Sequence, residues 1–330
     1  MLFAKLSKLA VAFTVAAAIG LFSNSATVKA ADPIILKGLI PWPADFVGSR
    51  GFLEFQKQVN KALKGKVIVS LIGTSEVVPP FEQFEAVRDG VVDVLMTAGA
   101  YYRATVPEAA AGLGVKRFGS ELRAMGYTDL MRKIHAEHGV YYHSQVGGTK
   151  GNGYRCYGNT KITSADLSGI KMRVSPTYVP LVKGLGGTPI LMKAGEVYTA
   201  LERGVVNGFC WTFLGIREYG FHEVTKYVYN IPFYSNDTAI LINMKTWNGL
   251  PADVRKQIDD LGPAIEAAVE KFMTKKNEDE DTALAKEGLE FINLSTAEVA
   301  KWHAAALDSH WAEIVTKSPK YGEALKKYAD

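Results

Sequence analysis

The chain has 330 residues and a formal net charge of +4, with 48% hydrophobic and 22% charged residues. This length is enough for two lobes of ordinary domain size, each with a sizeable core. Removing residues 1–30 takes away three lysines and no acidic residue, so the formal charge falls to +1. A near-neutral chain without clustered Lys and Arg lacks the electrostatic surface that binds nucleic acids, and we expect no nucleic-acid partner.

The first 30 residues have the pattern of a secretory signal peptide. Lys5 and Lys8 precede an apolar run over residues 9–22, and Val28-Lys29-Ala30 provides a small-x-small cleavage site. The apolar run is shorter than the ~20 residues that a membrane-spanning helix needs. We therefore predict export of the protein, with residues 1–30 removed rather than kept as an anchor.

Strands and helices alternate through the first half of the chain. Predicted strands lie at 34–40, 67–72, 91–97 and 141–145, and predicted helices at 52–63, 81–88 and 120–138. This order favours parallel α/β units over a sandwich. The last third is helical, with a helix starting at Leu250-Pro251, a charged helix over 265–287, and a capping box at 295–298 before a helix over 299–315.

A pseudo-repeat relates the two halves of the chain. The segment Glu82–Asp93 matches Glu196–Asn207 at an offset of 114 residues. In each copy a helix ends at a glycine, Gly90 or Gly204, that suits a left-handed cap, and a strand begins at once. We infer two lobes that reuse one supersecondary unit.

A glycine-rich run over 147–153 is predicted to cross between the lobes. It lacks the Gly-Lys-Ser/Thr and the following helix of a phosphate-binding loop. A flexible crossover is the better interpretation. The next strand is predicted over 154–157, and a second crossing near Asp237–Met244, where the chain passes through a strand over 238–243.

Two cysteines, Cys156 and Cys210, remain after removal of the signal peptide. In an oxidising compartment they can form one disulfide. The alternative is two buried free thiols that pack as small apolar groups. The sequence gives no Cα separation, so it leaves both possibilities open.

A short strand carries an arginine to the end of a predicted sheet. Apolar residues at 170, 172 and 174 alternate with Lys171 and Arg173, and Ser175-Pro176 ends the strand. The planar, permanently charged guanidinium group can hold a carboxylate through two parallel hydrogen bonds. The alternative is an exposed arginine in a surface ion pair.

Three aromatic residues follow the second copy of the repeat. Phe209, Trp211 and Phe213 alternate, so an extended chain points all three to one side, although aromatic residues on strands usually belong to the core. This strand and the Arg173 strand are expected to end at the same sheet edge, where open α/β folds bind ligands. Arg155 is expected to reach that edge as well. We predict a cleft for an organic anion with an apolar body.

Catalytic signatures are largely missing from the sequence. The six histidines form no metal motif, and no Gly-x-Ser-x-Gly nucleophile elbow occurs. A secreted hydrolase or lyase acting on an organic acid is the alternative, with Asp237, or Glu76 near Tyr101, as faint candidates for its base and nucleophile. We predict a binding protein that is not an enzyme and has neither a cofactor nor a metal.

Five segments form a joint pattern: Glu85-Ala86-Val87-Arg88-x-Gly90-x-Val92-Asp93, Tyr154-Arg155 through Asn159, Gly169-x-Lys171-x-Arg173-Val174, Gly195-Glu196-Val197-Tyr198-x-Ala200-Leu201-x-x-Gly204-Val205-Val206, and Trp247-x-x-Leu250-Pro251. Over nearly the whole mature chain, this pattern resembles the solute-binding proteins of tripartite ATP-independent periplasmic (TRAP) transporters, the DctP-type family. The resemblance implies a bilobal, periplasmic-binding-protein-like α/β fold with a ligand cleft between the lobes and C-terminal helices packing across both. Lobe I is expected over 31–152 plus about 244–285, and lobe II over 153–243 plus about 286–330.

The resemblance also implies a function. A monomeric periplasmic protein would close over one small organic acid and deliver it to the membrane subunits of a TRAP transporter; the binding protein of an ATP-driven importer is the alternative. Arg173 is implied to pair with the ligand carboxylate, and Arg155 to be a second polar contact. The implied wall residues are Trp42, Glu76, Ala100 and Tyr101 in the first lobe, and Tyr178 and the stretch from Phe233 to Asp237 in the second lobe and hinge.

The chain departs from the family pattern after the second copy of the repeat. Many members carry a Gln-Glu-Asn-Pro-like run there, in which the asparagine binds the ligand, whereas this chain has Phe209-Cys210-Trp211-Thr212. Trp211 replaces an amide by an indole, which has a single donor and a large apolar area. We therefore expect a ligand less hydroxylated than a sugar acid, such as an aromatic or branched monocarboxylic acid.

Overall fold

Two mixed β-sheets with flanking helices build the two lobes of the molecule. The computed structural model describes residues 32–147 and 153–329. The predicted signal peptide and residues 148–152 of the predicted crossover lie outside these ranges. The described residues from Pro33 onward form one compact unit. Within the described ranges, no helix is both long enough and apolar enough to cross a membrane.

The strands are β1 (Ile34–Leu39), β2 (Val67–Gly73), β3 (Val94–Ala98), β4 (Val140–Gln145), β5 (Gly153–Gly158), β6 (Lys171–Val174), β7 (Thr188–Leu191), β8 (Gly208–Thr212), β9 (Tyr227–Ser235), β10 (Thr238–Asn243) and β11 (Glu290–Ile292). The α-helices are α1 (Arg50–Ala62), α2 (Gln83–Arg88), α3 (Gly119–Ala124), α4 (Tyr127–Ala136), α5 (Val179–Gly184), α6 (Val197–Glu202), α7 (Met244–Gly249), α8 (Ala252–Asp260), α9 (Gly262–Asn277), α10 (Glu280–Lys286), α11 (Thr296–Lys317) and α12 (Gly322–Lys326).

The first sheet has the strand order β2-β1-β3-β10-β4. β1 is parallel to β2 and β3, as the alternation of strands and helices predicts, but β10 is antiparallel to β3 and β4. β10 follows the second lobe in the chain and enters the first sheet from the hinge side, which reverses its direction. We expected this strand in the second lobe, with the lobe boundary after residue 243. That prediction is wrong for β10, which belongs to the sheet of the first lobe.

The second sheet has the strand order β11-β9-β5-β8-β6-β7. β6 is parallel to β7 and β8, whereas β5 is antiparallel to β8 and β9. Cys156 and Cys210 lie directly opposite each other on β5 and β8 and form a disulfide. Of the two alternatives that the sequence allows for the cysteines, the structure has the bridge.

The pseudo-repeat is present as a repeated hydrogen-bond pattern. In the first copy the Asp93 carboxylate accepts from the backbone N–H of Lys37 at 2.8 Å, and in the second the Asn207 side chain accepts from that of Lys171 at 2.9 Å. The two cap glycines have φ angles of 78° and 67°, the left-handed region that favours glycine. Each copy thereby fixes the start of one strand against its parallel neighbour.

The C-terminal helix α11 packs across both lobes, as predicted. Its Trp302 is buried in the second-lobe core, 6.4 Å from the ring of Phe233. Further along the same helix, Trp311 belongs to the first-lobe core. The long helix predicted over 120–138 is divided into α3 and α4 at Gly126, which has a φ of 87°.

Replacing both cysteines by alanine is expected to lower the free energy of unfolding by about 2–4 kcal/mol, because a cross-link restricts the unfolded chain. The bridged residues are 54 positions apart. Urea denaturation of Cys156→Ala/Cys210→Ala and of the wild type, both without reductant, measures the difference. The wild type unfolded with reductant present serves as the control and should match the variant. Equal stability of the variant and the oxidised wild type would contradict the expectation.

Candidate ligand-binding site

A cleft lies between the lobes, at the C-terminal ends of the parallel strands. The first lobe contributes Trp42 and Phe46 from the loop after β1, and the second contributes Trp211 from β8 and Tyr219 from the loop that follows. The Phe46 ring centroid lies 6.1 Å from that of Trp211 and 5.1 Å from that of Tyr219. Aromatic side chains of the two lobes therefore pack directly against each other across the cleft.

The cleft contains two chambers that share Trp42 and Tyr101 as walls. The smaller chamber, of about 40 Å³, is mostly aromatic; its walls include Trp42, Phe46, Tyr101, Tyr154, Tyr178 and Trp211. The larger chamber, of about 290 Å³, has more charged groups; its walls include Glu76, Tyr101, Arg173, Lys193, Glu196 and Tyr219. A ligand in the cleft can thus meet an apolar wall on one side and charged groups on the other.

Arg173 is the buried cation of this cleft. Its side chain is 1% exposed, so the alternative of a surface ion pair is wrong. Nε and Nη2 donate to the backbone carbonyl of Met192 at 3.1 and 2.9 Å. Nη1 is buried and has no hydrogen-bond partner among the described residues. The guanidinium group is therefore held in place by one edge, while the remaining donor is unused.

Burial disfavours the charge of Arg173 and lowers the pKa of its guanidinium group from the ordinary value. An arginine nevertheless remains protonated in proteins. Tyr101, Tyr178 and Tyr219 lie close enough to interact with this charge but are neutral groups. Glu196, on the wall of the larger chamber, also attracts the charge, but its carboxylate accepts from the backbone N–H of Lys193. The described part of the cleft thus holds a buried cation. An incoming anion would offset the energetic cost of desolvating it.

Trp211 lies beside Arg173. The Cζ atom of Arg173 is 5.0 Å from the Trp211 ring centroid, so the sheet edge brings the two residues together as expected. The indole is 4% exposed, and its Nε1 has no hydrogen-bond partner among the described residues. Gly215, with a φ of 102°, faces this nitrogen; a Cβ there would lie 3.1 Å from Nε1 and would overlap the Phe46 ring.

Arg155 does not face the chambers in this structure. Its guanidinium group forms a two-point ion pair with Asp281 of α10, through Nη1 to Oδ2 at 3.2 Å and through Nη2 to Oδ1. It also lies 3.8 Å above the ring of Phe213. The expected second polar contact is therefore already paired within the protein, and its neighbour Phe213 lies outside the two chambers.

Of the three alternating aromatic residues, only Trp211 reaches the cleft. Phe209 is fully buried in the core, where it stacks on Tyr157 with ring centroids 5.1 Å apart. Phe213 comes after the last residue of β8 and lies beneath Arg155. The alternation correctly places Phe209 and Trp211 on one face of β8, but it cannot show how deep each side chain lies.

The other expected wall residues divide into two groups. Trp42, Tyr101 and Tyr178 line the smaller chamber, and Glu76 is an exposed residue of the larger one. Phe233 does not line either chamber, because it packs in the second-lobe core beside Trp302.

Asp237 and Ala100 join the two lobes rather than lining the chambers. The backbone N–H of Ala100, just after β3, donates to Oδ2 of Asp237 at 2.7 Å. Burial raises the pKa of the Asp237 carboxyl to about 7. This contact ties the crossing between β9 and β10 to the turn that carries Tyr101. Asp237 is thus a positioning residue for the cleft.

Some chamber residues were not predicted as site residues from the sequence. Phe46 and Tyr219 lie in loops without hydrophobic periodicity, and Lys193 lies between β7 and α6. The only available signal was their position a few residues from Trp42, Trp211 and the second copy of the repeat. In residues 32–147 and 153–329, no group of three or more His, Cys, Asp or Glu side chains is arranged to hold a metal ion.

A cleft between two α/β lobes, with a buried cation that has an unused donor, defines a bilobal ligand-binding protein. Residues 41–318 match the family model of bacterial extracellular solute-binding proteins, family 7, and the chain belongs to this family. Membership in this family confirms the resemblance to TRAP solute-binding proteins that the motifs indicate.

Curated relatives match most of the chain. The C4-dicarboxylate-binding periplasmic protein of Rhodobacter capsulatus is 27% identical over 297 residues, which cover 85% of this chain and 86% of the relative. The monocarboxylate 2-oxoacid-binding periplasmic protein of a Nostoc species is 24% identical over 247 residues, which cover 71% and 67% of the two chains.

Solved structures show the same fold. An extracytoplasmic solute receptor of Bordetella pertussis binding pyroglutamic acid has a TM-score of 0.78 at 17% identity, covering 89% of this chain and 99% of its own. A TRAP periplasmic solute-binding protein of Desulfovibrio salexigens with bound orotic acid has a TM-score of 0.77 at 20% identity, covering 89% and 97%. The predicted bilobal fold is thereby confirmed.

Asp237→Asn is expected to remove a pH dependence of stability. The pKa of about 7 in the folded protein exceeds the ~4 of an unfolded aspartate, so between these values the folded state binds more protons. The free energy of unfolding therefore falls as the pH rises from about 4 to 7. Asparagine retains the acceptor for Ala100 but cannot ionise.

Urea unfolding of both proteins at pH 5 and pH 8 measures this effect. Between pH 5 and pH 8, the free energy of unfolding of the wild type should fall by at least about 1 kcal/mol more than that of the variant. The reason is that a pKa shift of one unit corresponds to about 1.4 kcal/mol. An identical pH dependence of the two proteins would show that Asp237 titrates normally.

Proposed function

We propose that the protein is a periplasmic receptor that binds one small organic acid in the cleft and delivers it to the membrane subunits of a TRAP transporter. The unused Nη1 donor of the buried Arg173 carries this proposal. Family membership supports it, as do the names of the similar proteins, each of which mentions an acid. Residues 1–30 would direct export and be removed, and the receptor would act as a monomer.

The chemistry of Arg173 selects an anion. A buried charge without a partner is strongly unfavourable, whereas a carboxylate at Nη1 forms a charge-assisted hydrogen bond. Because Met192 already occupies Nε and Nη2, the carboxylate would bind at the outer edge of the guanidinium group. The same arrangement provides no acceptor for a group that can only donate, such as an ammonium group.

The shape of the smaller chamber limits the body of the ligand. A cavity of roughly 150 Å³ holds a benzene ring, and this chamber has only about 40 Å³. The group that enters it would therefore be a methyl, a short branch or a single polar substituent. Of the two ligand types expected from the sequence, the branched monocarboxylate fits this chamber better than the aromatic one. The mostly aromatic walls also offer few partners for the hydroxyl groups of a sugar acid.

Support for binding rather than catalysis comes from the acidic residues of the site. The Oδ2 atom of Asp237 is engaged by the backbone of Ala100, and Glu76 is exposed on the wall of the larger chamber. In the described part of the chain, neither is hydrogen-bonded to a Ser, Thr or Cys side chain as the base of a hydrolase would be. Recovery of the ligand unchanged after incubation with the protein would support the receptor role, and conversion of the ligand would contradict it.

A thermal-shift panel tests the ligand class. The panel contains 3-methylbutanoate, benzoate, succinate and glucuronate, each over a range of concentrations. A ligand at ~100 times its dissociation constant stabilises the folded state by about 2.7 kcal/mol, which produces a clear rise in melting temperature. We expect the largest shift with 3-methylbutanoate. A larger shift with glucuronate would contradict the argument from the chamber walls.

Arg173→Met is expected to weaken binding of the preferred acid at least about tenfold, because the ligand carboxylate loses its charged partner. Methionine retains an apolar stem of similar shape. Arg155→Met is the matched control, since Arg155 is equally buried but paired with Asp281 outside the chambers.

Calorimetric titration of the wild type and both variants with the preferred acid measures the change. The control should lose stability but keep its affinity within about twofold of the wild type. Near-wild-type affinity of Arg173→Met, or an equal loss in both variants, would contradict the proposed role of Arg173.

A further inference from the structure

A wide groove on the surface lies directly behind the smaller chamber of the cleft. This outer groove has a volume of about 790 Å³, and its walls include Val47, Leu214, Gly215, Glu218, Phe272 and Lys275. Val47 and Leu214 also line the smaller chamber. Because the chamber and the outer groove share these two residues, only a thin wall separates them.

The ring of Phe46 is the central part of this wall. Phe46 lines the smaller chamber and not the outer groove, whereas Gly215 lines the outer groove and neither chamber. The two residues are in direct contact, since a Cβ atom added to Gly215 would lie only 2.4 Å from Cε2 of Phe46. The ring therefore lies between the chamber and the backbone that borders the outer groove.

Neighbouring groups from both lobes hold the Phe46 ring in place. Its centroid lies 5.8 Å from that of Trp42, 6.1 Å from that of Trp211 and 5.1 Å from that of Tyr219. A Cβ atom added to Gly48 would lie 2.4 Å from Cε1 of the ring. Phe46 is 7% exposed. A ring packed this closely cannot move aside without losing these contacts, so the wall does not yield to a larger ligand.

We propose that Phe46 determines specificity by limiting the size of the group that the ligand places in the smaller chamber. This inference rests on the proposed function, in which Arg173 holds the carboxylate and the ligand body enters that chamber. With the ring present, the chamber has about 40 Å³ and admits a short branch. Without the ring, the chamber would open into the outer groove of about 790 Å³.

Truncation of Phe46 would change the size limit and leave the charge recognition in place. A large-to-small substitution leaves a cavity where the surroundings collapse only in part. An apolar cavity of roughly 150 Å³ holds a benzene ring. The space left by the Phe46 ring would therefore accept a phenyl group of a ligand, while the carboxylate still binds at Arg173.

Calorimetric titration with 3-methylbutanoate and 3-phenylpropanoate tests the inference. Both acids carry a carboxylate on a CH₂ group, and they differ in the size of the apolar end. In the wild type, 3-methylbutanoate should bind at least about tenfold more tightly. A single methylene group in a hydrophobic pocket already changes discrimination by about 10- to 200-fold, and a phenyl group exceeds the chamber by more than that.

In Phe46→Ala, the ratio of the two dissociation constants should shift by at least about tenfold toward 3-phenylpropanoate. The ratio is the informative quantity, because a loss of contact between the lobes would by itself weaken both acids by the same factor. Phe272→Ala is the matched control: Phe272 lines the outer groove and neither chamber. Its truncation widens the outer groove but keeps the wall, so the wild-type ratio should be retained within about twofold.

Phe46→Leu provides a second, milder variant in case the alanine variant does not fold. Leucine keeps an apolar side chain but is shorter than phenylalanine, so the ratio should shift in the same direction by a smaller factor. Thermal unfolding followed by circular dichroism establishes that each variant is folded before titration.

Three outcomes would overturn the inference alone. They are a wild-type ratio in the folded Phe46 variants, an equal shift of the ratio in Phe272→Ala, and a wild type that binds both acids equally well. Each leaves the proposed function intact, provided that Arg173→Met still weakens binding of both acids. A wild type that binds neither acid would refute the proposed ligand class together with the inference.

Discussion

The Arg173 guanidinium group is held on one side by the protein backbone, and on the other side its Nη1 has no hydrogen-bond partner within residues 32–147 and 153–329. Parallel pairing of β6 with β7 sets Val174 opposite Leu191, and the next residue along, Met192, turns its carbonyl toward the arginine. A backbone carbonyl fixes the direction of the guanidinium group without neutralising its charge. The unliganded protein therefore bears the free-energy cost of burying this charge. A bound carboxylate can offset that cost.

Contact between the lobes surrounds this cation. Phe46 from the first lobe packs against Trp211 and Tyr219 from the second, and the absence of a side chain at Gly215 leaves space for its ring. On the hinge side, Asp237 holds the turn that carries Tyr101. Ligand affinity therefore depends on how well the lobes meet, and not only on the residues that touch the ligand.

Part of this arrangement was predictable because it follows from local patterns. The alternation of apolar and charged residues in the Arg173 strand and the two copies of the repeat are both local sequence patterns. Both are present in the structure. The position of Arg155 was not predictable in this way, since its partner Asp281 lies 126 residues away in a separate short helix. The place of β10 in the first sheet likewise depends on a long-range crossing. Alternation defines which face a side chain occupies, whereas the depth of Phe209 relative to Trp211 is decided by packing.

A crystal structure of the protein purified with its natural ligand, without denaturation, tests the central claim most directly. The account predicts an organic acid between the lobes with a carboxylate oxygen about 3 Å from Nη1 of Arg173, the distance of a charge-assisted hydrogen bond. A ligand bound elsewhere, or an Arg173 whose Nη1 is paired with a protein group in the complex, would contradict it.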